Sequence, residues 1–167
     1  MKKLTIFSWF GFPIPMEERF KLIKATGFDG VLLWWSDEHA DVDGDKFHHP
    51  EWAGRNGLFI ENMHAPIFRN NYLWKDCLDG EAIERILHNC IDDCQRFEIP
   101  TVVVHLTYEV NPPSFTKTGL DRVKRLVEAV ERKNVNLAIE NLRQSDDLDF
   151  IFSNIQSDRL GFCYDSG

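Results

Sequence analysis

Short apolar runs with the texture of β-strands alternate along this chain with longer runs whose apolar residues recur every three or four positions. The strand-like runs lie near residues 4–9, 30–35, 58–64, 101–105, 136–140 and 160–165. Helical periodicity covers 15–26, 80–98, 116–133 and 146–155, with a weaker pattern over 46–56. Ile83, Ile86, Leu87, Cys90, Ile91, Cys94 and Phe97 form the stripe of a helix packed on a sheet. Leu120, Val123, Val127 and Val130 repeat it, with Thr116 or Thr118 available as a cap. Strand, helix, strand recurs five times, and strands joined by such crossovers run parallel in a helix-covered sheet.

At 167 residues and 43% hydrophobic content the chain can bury a real core, and it reads as one domain over residues 1–167. No apolar run approaches the ~20 residues that span a bilayer. The start, Met1-Lys2-Lys3-Leu4-Thr5-Ile6-Phe7, enters a strand pattern without a cleavage site, so no membrane association and a cytoplasmic location are expected. A formal charge of -8 disfavours a non-specific hold on nucleic acid. Cys77, Cys90, Cys94 and Cys163 lack CxxC spacing; reduced, mostly buried thiols are expected.

A parallel α/β sheet can be doubly wound or closed into a (β/α) barrel. After the first strand, Ser8-Trp9-Phe10-Gly11-Phe12-Pro13 matches neither GxGxxG nor GxxxxGK[ST], which removes the main support for nucleotide binding. Polar residues fall instead on the C-terminal ends of several strands, where barrels place their chemistry. Side-chain parity agrees. Ala138 shares the face of Glu140, and Gly161 and Cys163 share that of Asp165, while larger neighbours point the other way. Small residues beneath each acid suit a crowded barrel interior.

Four strand-like runs thus stop on ligand-type residues: His64, His105, Glu140 and Asp165. A buried imidazole or carboxylate at the end of an apolar run needs a partner, such as an opposite charge or a metal ion. For Glu140 the competing partners are Arg143 and Lys133, and Asp165 alone would read as a turn residue. His and carboxylate together suit Mn²⁺, Zn²⁺, Mg²⁺ or Co²⁺ without selecting among them. His39, His48 and His49 fall in an acidic stretch read as a solvated loop, and His88 lies opposite its helix's apolar stripe. Trp9 or Trp35 could stack on the apolar face of a sugar, and Arg143 could hold a hydroxyl, carboxylate or phosphate.

The chain resembles the xylose isomerase-like (β/α) barrel superfamily of sugar isomerases and epimerases, which includes the endonuclease IV type of DNA-repair enzymes. The resemblance rests on Gly27-Phe28-Asp29-Gly30-Val31, Val103-Val104-His105, Leu137-Ala138-Ile139-Glu140-Asn141 and Gly161-Phe162-Cys163-Tyr164-Asp165. It implies that Glu140 and Asp165 bind a divalent metal and that Glu140 takes part in proton transfer. His64 and His105 would line the substrate pocket in the isomerase branch and bind metal in the endonuclease branch.

A complete barrel of this kind needs roughly 250 residues, so six strands predict an incomplete barrel with open edges. The expectation is a fragment that is weakly active or inactive alone, or a homo-oligomer whose copies cover those edges. The function expected of the parent is metal-dependent isomerisation or epimerisation of a sugar or sugar phosphate. An abasic-site nuclease and a non-catalytic sugar- or partner-binding barrel are the alternatives.

Overall fold

Each strand-like run forms a strand in the computed structural model, which describes residues 3–108, 113–142 and 146–166. The strands are β1 (Thr5–Phe7), β2 (Gly30–Trp34), β3 (Phe59–His64), β4 (Thr101–Val104), β5 (Asn136–Glu140) and β6 (Leu160–Cys163). The helices are α1 (Met16–Ala25), α2 (Ala40–Asp43), α3 (His49–Arg55), α4 (Leu78–Arg96), α5 (Lys117–Lys133) and α6 (Asp146–Asn154). Two 3-10 turns, Lys46–His48 and Asn70–Trp74, complete the order. None of these helices is long and apolar enough to cross a membrane.

The chain divides into two compact units, residues 1–66 and 67–167. In the first, β1 pairs with β2 and β2 with β3, all parallel. In the second, β4 pairs with β5 and β5 with β6, again parallel. Each strand within a unit therefore lies beside its successor in sequence. A doubly wound sheet reverses strand order at a switch point; sequential parallel order is the winding of a (β/α) barrel.

In the first unit, Val31 and Leu33 are fully buried, whereas Leu32 and Trp34 on the opposite face of β2 are half-buried. Strict alternation along β3 would keep His64 in phase with Ile60. The register breaks instead: Val31 pairs with Ile60, but Leu32 pairs with Asn62, leaving Glu61 as an extra residue in a β-bulge. The Thr5 hydroxyl donates to the Glu61 carboxylate. Beyond the bulge His64 pairs with Trp34, so the two side chains share a face.

Loops after β1 and β2 are tied together by Arg19, whose guanidinium is wholly buried. It donates to the carbonyls of Ser8 at 2.9 Å and Ile14 at 2.8 Å, and to Asp43 Oδ1 at 2.8 Å. His49 departs from the solvated-loop expectation. Pro50 sits in the first turn of α3, and the buried ring beside it donates through Nε2 to the Asp43 carbonyl at 3.1 Å. Burial lowers its pKa below the ordinary 6.5, outweighing the attraction of Asp43. The folded state then binds fewer protons than the unfolded one between that lowered value and 6.5, so stability present at pH 7 is lost as pH falls through this window. Thermal melts between pH 7.5 and 5 should show this loss, and His49→Gln should flatten it. An equal loss in both proteins would rule out His49 as its source.

In the second unit, α4 buries Ile83, Leu87, Cys90, Ile91 and Cys94, and α5 buries Val123, Leu126, Val127 and Val130. Thr116 caps α5 by accepting from Gly119 N at 3.1 Å, and Asn134 ends it in the left-handed region at φ 56°. Leu137 and Ile139 are buried, with Ala138 and Glu140 on the other face of β5. Phe162 and Tyr164, opposite Gly161 and Cys163, are exposed and meet edge to face at 6.2 Å. None of the four cysteines forms a disulfide, and burial raises the Cys94 thiol far above its usual range.

Candidate functional site

Parallel register determines which strand-end residues meet. Val103 pairs with Ala138 and Val104 with Ile139, so one further step sets His105 beside Glu140 on a common face. There His105 Nε2 lies 3.7 Å from Glu140 Oε1, with the side chains 5% and 13% exposed. This exceeds a direct hydrogen bond. Two donors bound to one divalent ion at ~2.1 Å each stand roughly 3.4 Å apart in tetrahedral geometry. The spacing therefore suits a nitrogen and an oxygen converging on one ion, and the enclosure strengthens their electrostatic action. The donor set fits the divalent metal expected from the sequence.

The first unit presents its own ligand-type nitrogen. His64 Nδ1 lies 2.8 Å from the Ala65 carbonyl, which can only accept, so Nδ1 carries the proton and the neutral ring keeps its lone pair on Nε2. A backbone carbonyl on one ring nitrogen is the usual way to fix a metal-binding histidine. Phe7 at 5.8 Å and Trp34 at 5.4 Å hold the ring from its sides.

The remaining sequence candidates occupy varied settings. Asp165 is exposed two residues beyond β6, where the Asn141 side chain donates to its carbonyl and accepts from its N–H, both at 2.9 Å. Asn141 thus extends the pairing of β5 with β6 past the last strand residue. Trp9 is half-buried and stacks on His39 at 4.5 Å, with the Arg19 guanidinium 5.4 Å from its ring. Trp35 is 1% exposed and packs edge to face on Phe47 at 5.8 Å, in the phase of the buried Val31 and Leu33. Arg143 lies outside the described residues.

Three residues beside these were not singled out from sequence. Trp34, rather than Trp35, flanks His64; the β2–β3 register decides this and a lone Trp-Trp pair does not. Asn141 is the second, and its position directly after Glu140 was the available signal. Asp147 is the third. Buried at the start of α6, it accepts from Leu148 N at 3.0 Å and from the Thr107 hydroxyl at 3.4 Å, and burial raises its carboxyl above the ordinary 3.8.

The family model described as xylose isomerase-like TIM barrel matches residues 20–167, running through both units. No curated protein matches the chain by sequence. Among solved structures, a D-tagatose 3-epimerase-like protein superposes with a TM-score of 0.75 at 18% identity, covering 98% of this chain and 64% of that one. An L-ribulose 3-epimerase gives 0.74 at 16% identity, covering 99% and 61%. A xylose isomerase-like TIM barrel protein from Mycobacterium smegmatis, solved in complex with magnesium, gives 0.67 at 14% identity, covering 96% and 63%. The chain thus spans less than two thirds of the length of each, and likeness at these identities concerns the fold. With a family model matching most of its length and parallel strands in sequential order within each unit, the chain belongs to the xylose isomerase-like TIM barrel family.

Proposed function

We propose that this chain carries the metal-binding part of a sugar isomerase or epimerase that moves a proton on the carbon next to a carbonyl. The observation that carries the reading is the enclosed His105–Glu140 pair at the C-terminal ends of β4 and β5. His105, Glu140 and Asp165, all from strand ends of the second unit, would hold the ion. Bound there, a divalent ion would polarise two adjacent substrate oxygens and lower the cost of removing the neighbouring proton. Glu140 is the carboxylate suited to take that proton, with His105 Nε2 facing its Oε1 at 3.7 Å. The Phe7 and Trp34 rings around His64 suit the apolar face of a sugar ring or chain. Epimerisation needs a second group that returns the proton from the opposite face, beyond what Glu140 alone can do.

The names of the similar D-tagatose 3-epimerase-like protein and L-ribulose 3-epimerase support a ketose as substrate. The test is to incubate the complete protein with Mn²⁺ and a panel of ketoses in D₂O. Deuterium is expected at the carbon next to the carbonyl. Metal binding without deuterium in any sugar would sink the isomerase reading. Cleavage of an abasic DNA duplex with Zn²⁺ in a parallel assay would replace it with the nuclease one, against which the net charge of -8 counts.

A further inference from the structure

We propose that Asn70 is a positioning residue that sets the direction of the His105 imidazole, an inference that rests on the ligand role of His105 given above. His105 lies one residue past the end of β4. Its carbonyl is held by the Asn70 side chain, whose Nδ2 donates to it at 2.6 Å; Asn70 is 2% exposed. The same 3-10 turn, Asn70–Trp74, grips the next residues of the loop. Trp74 Nε1 donates to the Leu106 carbonyl at 2.8 Å, and Asn71 Oδ1 accepts from Tyr108 N at 2.7 Å. Residues 105 to 108 are thus read by three side chains of one turn.

The turn itself is anchored from two sides. Arg69, which precedes it, takes the left-handed conformation at φ 60°, an uncommon state for a residue with a Cβ. Its guanidinium pairs with Asp79 at 2.8 Å and lies 4.8 Å from the Tyr72 ring. From α5, the buried Arg122 donates through Nη1 to the carbonyls of Leu73 at 2.7 Å and Lys75 at 2.6 Å. A side-chain donor held this rigidly fixes the carbonyl of residue 105. Rotation of that peptide would swing the imidazole away from Glu140, so Asn70 acts on the site without touching substrate or ion.

The expected effect is a loss of about 10- to 100-fold in divalent metal affinity, the usual consequence of removing a group that orients a ligand. Co²⁺ binding is titrated by absorption spectroscopy in wild type, Asn70→Asp, which keeps the shape but loses the donor, and Asn70→Ala. Asn71→Ala, a change in the same turn, reports general loosening, and metal-free melts of all four give their stability. Weaker Co²⁺ binding in both Asn70 variants but not in Asn71→Ala at matched stability supports the proposal. Wild-type affinity in the Asn70 variants, or a loss shared by Asn71→Ala, overturns it. A metal-free readout separates this from the metal reading itself. Long-range ¹H–¹⁵N spectra should show one sharp set of His105 ring signals in wild type and shifted or multiple sets in Asn70→Ala. Unchanged ring signals overturn the positioning role. A wild type that binds no Co²⁺ overturns the metal reading, and the positioning role then stands or falls on the ring signals.

Discussion

Replacing Glu140 with glutamine is expected, on the proposed function, to lower proton transfer by the protein roughly 10²- to 10⁴-fold, the range associated with loss of a general base. Glutamine matches glutamate in volume, so the small residues beneath it, Ala138 and Gly161, need not move. What changes is charge. The oxygen 3.7 Å from His105 Nε2 loses its negative charge and with it both proton affinity and attraction for a cation. Metal content after loading with Mn²⁺, measured by mass spectrometry, should fall together with the rate of deuterium washing into a ketose. Wild-type metal content would remove Glu140 from the ligand set, and a wild-type exchange rate would remove it as the base. A fall in metal content with an unchanged melting temperature would show that the site, rather than the fold, had been lost.

The largest effect on stability is expected at Gly119, in the first turn of α5. A Cβ there would stand far inside contact distance of Cε3 of Trp74. Trp74 has little room to give way. Its indole N–H is committed to the Leu106 carbonyl, and its ring packs against Phe115 at 4.9 Å and Phe150 at 6.0 Å. Gly119→Val should therefore cost about 3 kcal/mol through overpacking, which for a chain of this size lowers the melting temperature by about 6–12 °C. Because Trp74 belongs to the turn that grips residues 105 to 108, the loss should extend to the His105 end of β4. A melt within a degree of wild type would mean that α5 can pull back from the ring and that the contact is soft.

The elements carrying the site were legible because their signals are local. Val102-Val103-Val104 and Leu137-Ala138-Ile139 are short apolar runs that end on a polar residue, and the three-and-four spacing of Ile83 to Phe97 allows only a helix. Parallel pairing then follows from the crossovers, and parity places Glu140 with Ala138. The weak points were loops. The stretch from Ser36 to Pro50 reads as polar, yet Asp43 is buried there because Arg19, remote in sequence, supplies its counter-charge, and His49 is buried beside it with its ring bonded to the Asp43 carbonyl. The turn Asn70–Trp74 carries no periodicity in five residues, so nothing in Asn70-Asn71-Tyr72-Leu73-Trp74 announces that two of its side chains donate to the loop after β4.

By itself, then, the sequence determined the strand and helix alternation, the parallel winding and the row of strand-end ligand types, since each depends on neighbours within a few residues. Tertiary structure alone decided phase and distance. The extra residue at Glu61 reset which face His64 shares, and so made Trp34 rather than Trp35 its neighbour. The β4–β5 register brought His105 to 3.7 Å from Glu140 across a gap of 35 residues in sequence. Such facts depend on how one strand slides against another, which is set by packing and backbone hydrogen bonds between segments far apart in the chain.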